Sequence, residues 1–105
     1  MSTRCQIKVE GEKVMLYKHC DGYPEGVLPT LEDVVAWFKE ERGFWDGSYL
    51  LARIGQRFMN ASDNLLDDYH SHGSATGYGY DTEIHGDIDY LYTVKKNWTI
   101  TVEEK

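Results

Sequence analysis

Apolar and polar residues alternate from the start of the chain. Cys5, Ile7 and Val9 interleave with Gln6, Lys8 and Glu10, the period of a half-buried strand. The apolar positions of "KVMLYKH" follow after Gly11-Glu12, so a hairpin is expected. With Gly11 and Glu12 as the turn, Val9 faces Val14, Ile7 faces Leu16 and Cys5 faces Lys18. On the other face Gln6 meets Tyr17 and Arg4 meets His19. The pattern then changes to helical spacing. Leu31, Val34, Val35 and Phe38 form one stripe, with Thr30 as the expected N-cap, Asp33 at the capping-box position and Gly43 as the stop. A second stripe, Leu50 or Leu51, Ile54 and Phe58, predicts a helix from near Ser48 to about Ala61, capped by Asp46 or Ser48. Gly55 weakens that helix unless close packing requires a small residue there.

"NLLDDYHSHGSATG" is rich in turn formers and reads as an exposed loop. Alternation returns in "YGYDTEI", "IDYLYTV" and "WTITVEE". Ile88, Tyr90, Tyr92 and Val94 are expected on one face of the middle strand. Lys95-Lys96-Asn97 suits a three-residue hairpin with Asn97 left-handed, which sets Val94 against Trp98, Tyr92 against Ile100 and Tyr90 against Val102. The order ββ-αα-βββ predicts a single α+β domain over residues 1–105. Its expected form is an antiparallel sheet of about five strands with both helices on one face. The C-terminal strands are expected to form a meander, with the middle one paired on both sides.

Composition narrows the function. The chain has 105 residues, 41% of them hydrophobic, and a formal net charge of -7. That charge disfavours direct nucleic-acid binding, which needs an excess of Lys and Arg. It favours solubility first, or docking on a basic protein face. There is no apolar run of membrane-spanning length and no signal-like N-terminus, so a cytoplasmic protein away from membranes is expected. Two cysteines, Cys5 and Cys20, make no disulfide scaffold. The expected hairpin sets them as diagonal neighbours, a poor geometry for a bridge.

Two groups of residues are candidates for function. In "YKHCDGYPEGV" Arg4 lies opposite His19, with Asp21 two residues on and Tyr17 and Tyr23 alongside. One reading is structural, with Asp21 closing an Asx-turn or pairing with Arg4. The other is an anion- or nucleotide-binding corner of Arg4, Tyr17, His19, Asp21 and Tyr23, or a hydrolytic His19/Asp21 pair. The second group is the acidic set Asp63, Asp67, Asp68, Asp81, Glu83, Asp87 and Asp89, which reads as a solvated face or, if it is contiguous, as a partner-binding surface that imitates nucleic-acid phosphates or docks on a basic protein. His19, Cys20, Asp21, His70, His72 and His85 are acceptable zinc ligands by type, but "HSH" is not the helical spacing of a zinc enzyme. No metal and no cofactor is expected. Tyr78, Tyr80, Tyr90 and Tyr92 are read as sheet packing and not as a base-stacking platform. The glycines of "HGSATGYGYD" lack the Gly-Lys-Ser/Thr of a phosphate loop.

Thr3-Arg4, the turn Tyr17-x-His19-x-Asp21-Gly22-Tyr23-Pro24-x-Gly26 and the late Tyr90-x-Tyr92 carry a resemblance. The chain resembles a family of small proteins of phages, prophages and other mobile elements of bacteria and archaea. The resemblance covers both ends and leaves Phe44 to Thr76 unmatched. It implies an accessory protein of a mobile element and no particular chemistry. The expected function is therefore that of a small acidic module binding a protein partner, such as a host nucleic-acid-processing or defence component. Ligand binding or hydrolysis at Arg4, His19 and Asp21 is the alternative.

Overall fold

The computed structural model describes residues 3–61 and 77–105. Asp63, Asp67, Asp68, His70 and His72 lie outside the described residues. The elements are β1 (Cys5–Val9), β2 (Met15–Lys18), α1 (Pro24–Arg42), α2 (Gly47–Ala61), β3 (Tyr78–Asp81), β4 (Tyr90–Val94) and β5 (Ile100–Glu104). This is the expected ββ-αα-βββ order. Both helices pack on one face of a five-stranded sheet of order β3-β2-β1-β4-β5.

The N-terminal hairpin has the register read from the sequence: Cys5 opposite Lys18, Gln6 opposite Tyr17 and Ile7 opposite Leu16. Its turn sits one residue earlier than expected. Glu12 N–H donates to Val9 O, and Gly11 takes the positive φ of +92° that this turn needs. Cys5, Ile7, Val9 and Leu16 are fully buried beneath Val27, Leu31 and Val34 of α1 and Leu50 and Ile54 of α2. Cys5 and Cys20 are both buried. Burial pushes the Cys5 thiol up to about 12, against the opposing pull of Lys18.

The sheet is mixed, not purely antiparallel. β4 pairs with β1 in parallel, and β3 pairs with β2 at the far edge, so the expected meander does not form. β3 and β4 therefore run in the same direction without touching. The chain must cross two strands to pass from one to the other, and residues 82–89 make that crossing on the face away from the helices. Alternation along a strand gives side-chain faces but says nothing about its neighbours, so sequence pattern could not separate these arrangements.

Three local differences have physical causes. First, α1 starts at Pro24, with Tyr23 in the N-cap position, and runs through Pro29, so Thr30 is not a cap. Pro24 sits at the start of the helix, where its missing N–H costs nothing. Secondly, the last hairpin is displaced by one residue. Lys95 N–H donates to Thr99 O and Trp98 N–H to Lys95 O. Trp98, not Asn97, is left-handed, at φ +71°. A one-residue shift of a three-residue loop moves the pairing by two, so Tyr92 faces Val102 and Val94 faces Ile100, and every side chain keeps its face. The Trp98 ring packs on Phe38 and Trp45, at 6.3 and 5.3 Å between centroids, and Asn97 Oδ1 accepts from Thr99 N–H and Oγ1. Those contacts offset the backbone strain. Thirdly, Ile88 lies on the opposite face from Tyr92, in a small cluster with Met15 and Leu91. It precedes β4 and belongs to the crossing segment, where strand alternation does not apply.

The helices meet the remaining expectations. Gly43 closes α1 at φ +76°, with its N–H on Lys39 O. Asp46 Oδ1 accepts from Tyr49 N–H at the start of α2. Gly55 packs closely under Tyr80: a Cβ there would lie 2.0 Å from the Tyr80 hydroxyl, so a larger residue would displace that half-exposed ring. An Arg57–Asp33 ion pair joins the two helices.

The turn after β2 also departs from its sequence reading. Neither Gly22 nor Gly26 takes a positive φ; Asp21 does, at 57°. The Asp21 side chain is exposed and closes no hydrogen bond among the described residues. Asp and Asn tolerate the left-handed region better than other side chains. Asp21→Ala is accordingly expected to cost about 1 kcal/mol through backbone strain, and Asp21→Asn to be nearly neutral. Urea denaturation of both variants checks this, since an Asn variant as weak as the Ala variant would mean that the charge matters instead.

Candidate functional site: the crossed face of the sheet

The pairings set the non-helical face in rows. One row runs His19, Arg4, Asp89, Lys105, joined by Asp89 N–H on Arg4 O and Lys105 N–H on Asp89 O. The next holds Gly79, Tyr17, Gln6, Leu91 and Glu103. Residues 82–89 lie across these rows.

Gln6 holds the crossing in place. Its side chain is fully buried. Its Nε2 donates to Glu83 O at 2.9 Å, and its Oε1 accepts from His85 N–H at 2.9 Å. One primary amide thus satisfies a backbone acceptor and a backbone donor of the segment, neither of which has a strand partner. Ile88 adds an apolar anchor against Met15 and Leu91.

The segment brings a charged cluster onto the strands. The His85 ring stacks on Tyr17 at 4.7 Å between centroids. Its Nε2 lies 2.7 Å from Asp81 Oδ2, and its Nδ1 lies 3.8 Å from Asp87 Oδ1. Asp87 Oδ2 is 3.7 Å from Arg4 Nε, and Asp89 Oδ2 accepts from Arg4 N–H at 3.0 Å. Arg4 Nε donates to His19 Nδ1 at 3.4 Å, and the Tyr17 hydroxyl reaches the same nitrogen at 3.1 Å. Burial, and then the Asp87 carboxylate, push the Tyr17 phenol above its ordinary value.

The Asp81 carboxyl is held below its ordinary range by the hydrogen bond from His85, and then by the N–H groups of Thr82 and Glu83. A depressed carboxyl stabilises the fold above the ordinary aspartate range, and the contribution is lost as pH falls through the folded-state value. Asp81→Asn should therefore flatten the acid limb of a stability-versus-pH curve below about pH 4. Thermal melts between pH 3 and 7 test this, and an unchanged acid limb would refute it.

Of the sequence-derived ligand corner, Arg4, Tyr17 and His19 come together. Among the described residues Asp21 makes no hydrogen bond or ion pair with them and is exposed, and Tyr23 sits exposed at the N-cap of α1. The carboxylates beside Arg4 come from Asp87 and Asp89 instead, more than eighty residues along the chain. Of the acidic set, Asp81, Glu83, Asp87 and Asp89 all lie on or next to the crossing segment. Among the described residues no group of three or more His, Cys, Asp and Glu side chains is arranged to hold a metal ion. No described helix is long and apolar enough to cross a membrane. Gln6 and the stacking role of His85 were not legible in the sequence. A glutamine at a strand position opposite Tyr17 reads as solvent-facing until a segment is known to cross it.

The fold and this face define an α+β domain with an acidic crossing segment. Comparison of the chain with protein-family models, with curated proteins and with solved structures gives no match.

Proposed function

We propose that the protein acts by binding a basic protein partner through the crossed face of its sheet, in keeping with the accessory role in a mobile element that the sequence resemblance implies. The observation that supports this reading is the anchoring of Glu83 and His85 by buried Gln6, in a segment that leaves β3 at Asp81 and also carries Asp87 and Asp89. A pre-ordered set of carboxylates loses less entropy on binding than the same charges on a free loop. A net charge of -7 steers a basic partner toward it. Anion binding at Arg4 is the weaker reading, because that guanidinium already faces Asp87 and its backbone N–H is taken by Asp89.

The test is capture from host lysate by the wild type and by a variant carrying Asp81→Asn, Glu83→Gln, Asp87→Asn and Asp89→Asn. The wild type should retain a basic protein that 0.5 M salt releases, while the folded variant should retain at least tenfold less. Equal retention by both would remove the acidic face from the binding site. A nucleotide or phosphate that raises the melting temperature of the wild type, but not of Arg4→Ala, would favour the ligand reading instead.

A further inference from the structure

A cavity of about 650 Å³ opens on the crossed face, between the first hairpin and the start of the crossing segment. That volume lies in the range of small-molecule sites. Lys8, Lys13 and Met15 line it from the hairpin, and Thr82, Glu83 and Ile84 line it from the segment. Glu12 completes the wall, but its carboxylate sits against the first residue of α2: a Cβ on Gly47 would lie 2.7 Å from Glu12 Oε2. The start of a helix is a favourable place for that charge.

The lining combines three kinds of chemistry. Met15 is 5% exposed and supplies an apolar floor, and Ile84 on the same cavity is 47% exposed. Lys8 and Lys13 bring two ammonium groups. Among the described residues neither makes an ion pair or a side-chain hydrogen bond, although the chain carries a net charge of -7. The Glu83 carboxylate is likewise without a partner among the described residues. Gln6 Nε2 fixes Glu83 by its backbone carbonyl, which leaves the side chain free to meet a ligand. Lys8 lies two residues along β1 from Gln6, roughly 7 Å at the rise of a strand. The lysines and Glu83 thus stand on separate walls, beyond ion-pairing distance of each other. A plain anion would meet the Glu83 charge unfavourably. A wholly apolar molecule would desolvate three charges without pairing them.

We propose that this cavity binds a zwitterionic dipeptide with apolar side chains. Its carboxylate would lie between Lys8 and Lys13, its ammonium at Glu83, and its side chains on Met15 and Ile84. A dipeptide keeps its two charges one peptide unit apart, as the two walls require. This goes beyond the acidic-partner reading and does not rest on it.

The probe is leucyl-leucine, titrated into the full chain and followed by backbone amide shifts. The shifts should concentrate in residues 8–15 and 82–84 and saturate at millimolar concentration. Leucyl-leucine amide lacks the carboxylate and should bind at least tenfold more weakly. N-acetyl-leucyl-leucine lacks the ammonium and should bind at least threefold more weakly, as should free leucine, whose charges share one carbon. Glycylglycine lacks apolar side chains and should give no saturable shift. Lys8→Gln with Lys13→Gln should weaken leucyl-leucine at least tenfold and remove its preference over the amide. Glu83→Gln and Ile84→Ser should each weaken it at least threefold. These side chains are half-buried or exposed, so the variants keep the fold, which their own amide spectra verify. Equal binding of the amide by the wild type would remove the lysines from the site. Equal binding of the acetylated peptide would overturn the zwitterion, and equal binding of leucine would overturn the dipeptide. Saturable binding of glycylglycine would overturn the apolar contacts. Shifts centred on Arg4 and His19, or no saturable shift at all, would overturn the site itself. None of these outcomes touches the capture of a basic partner.

Discussion

Gly22→Ala is expected to destabilise the protein by about 3 kcal/mol, measured as a fall in the urea midpoint at constant slope. A Cβ at this position would lie 2.9 Å from Arg4 C, Cys5 N and Cys5 Cβ. These are main-chain atoms and a fully buried side chain of β1, so nothing at the contact can move aside cheaply. The residue is held from both sides. Its N–H donates to Thr3 O at 2.8 Å, and its C=O accepts from the buried Tyr92 hydroxyl at 2.7 Å. Shifting it therefore breaks the link between the exit of the first hairpin and the centre of β4. Gly43→Ala provides the contrast. That position has φ +76° but open space around it, so its cost is backbone strain alone, about 1 kcal/mol. Similar losses in the two variants would show that close approach is not what Gly22 supplies. Tyr92→Phe should lose about 1–2 kcal/mol by leaving the Gly22 carbonyl buried without a donor.

Gln6→Ala is expected to lower stability by about 2–3 kcal/mol and to free the crossing segment. Removing the amide leaves Glu83 O and His85 N–H without partners beneath the segment, and it opens a cavity next to Leu91 and Tyr17. The distinguishing measurement is amide hydrogen exchange. His85 N–H should exchange much faster in the variant at a temperature where the β1–β2 ladder remains protected. Uniform acceleration across the sheet would instead mean that Gln6 supports the whole core and not the segment. Gln6→Glu should behave like Gln6→Ala. Its carboxylate can accept from His85 N–H, but it meets the Glu83 carbonyl oxygen with no donor. If the proposed function holds, both variants should also bind the basic partner more weakly, although neither removes a surface charge.

The cluster on the crossed face shows why local sequence signals were only partly sufficient. Arg4 and His19 belong to one hairpin, and a register read from alternation brings them together correctly. Asp21 follows His19 in the chain, and proximity in sequence suggested that it completes the corner. The backbone turns left-handed at Asp21 and carries it out to solvent, and Asp87 and Asp89 approach Arg4 from the segment that crosses over β2 and β1. Gln6 reveals the same limit. Its side chain looks like any polar residue on an exposed strand face until residues 82–89 cover it.

By itself the sequence determined the period of each element, the face each strand buries, the pairing of β1 with β2, and the stripes that place both helices on one side. These are local quantities, set by alternation, helical spacing and turn chemistry within a few residues. Only the tertiary structure decided that β4 enters the sheet parallel to β1, that β3 closes the far edge, and that the connection between them runs over the open face. Those outcomes depend on which strand edge each segment pairs with, and on a buried amide able to satisfy a segment some eighty residues away. A strand's own residues encode which side it buries. They do not encode its neighbour, because the backbone groups that join neighbours are the same at every position.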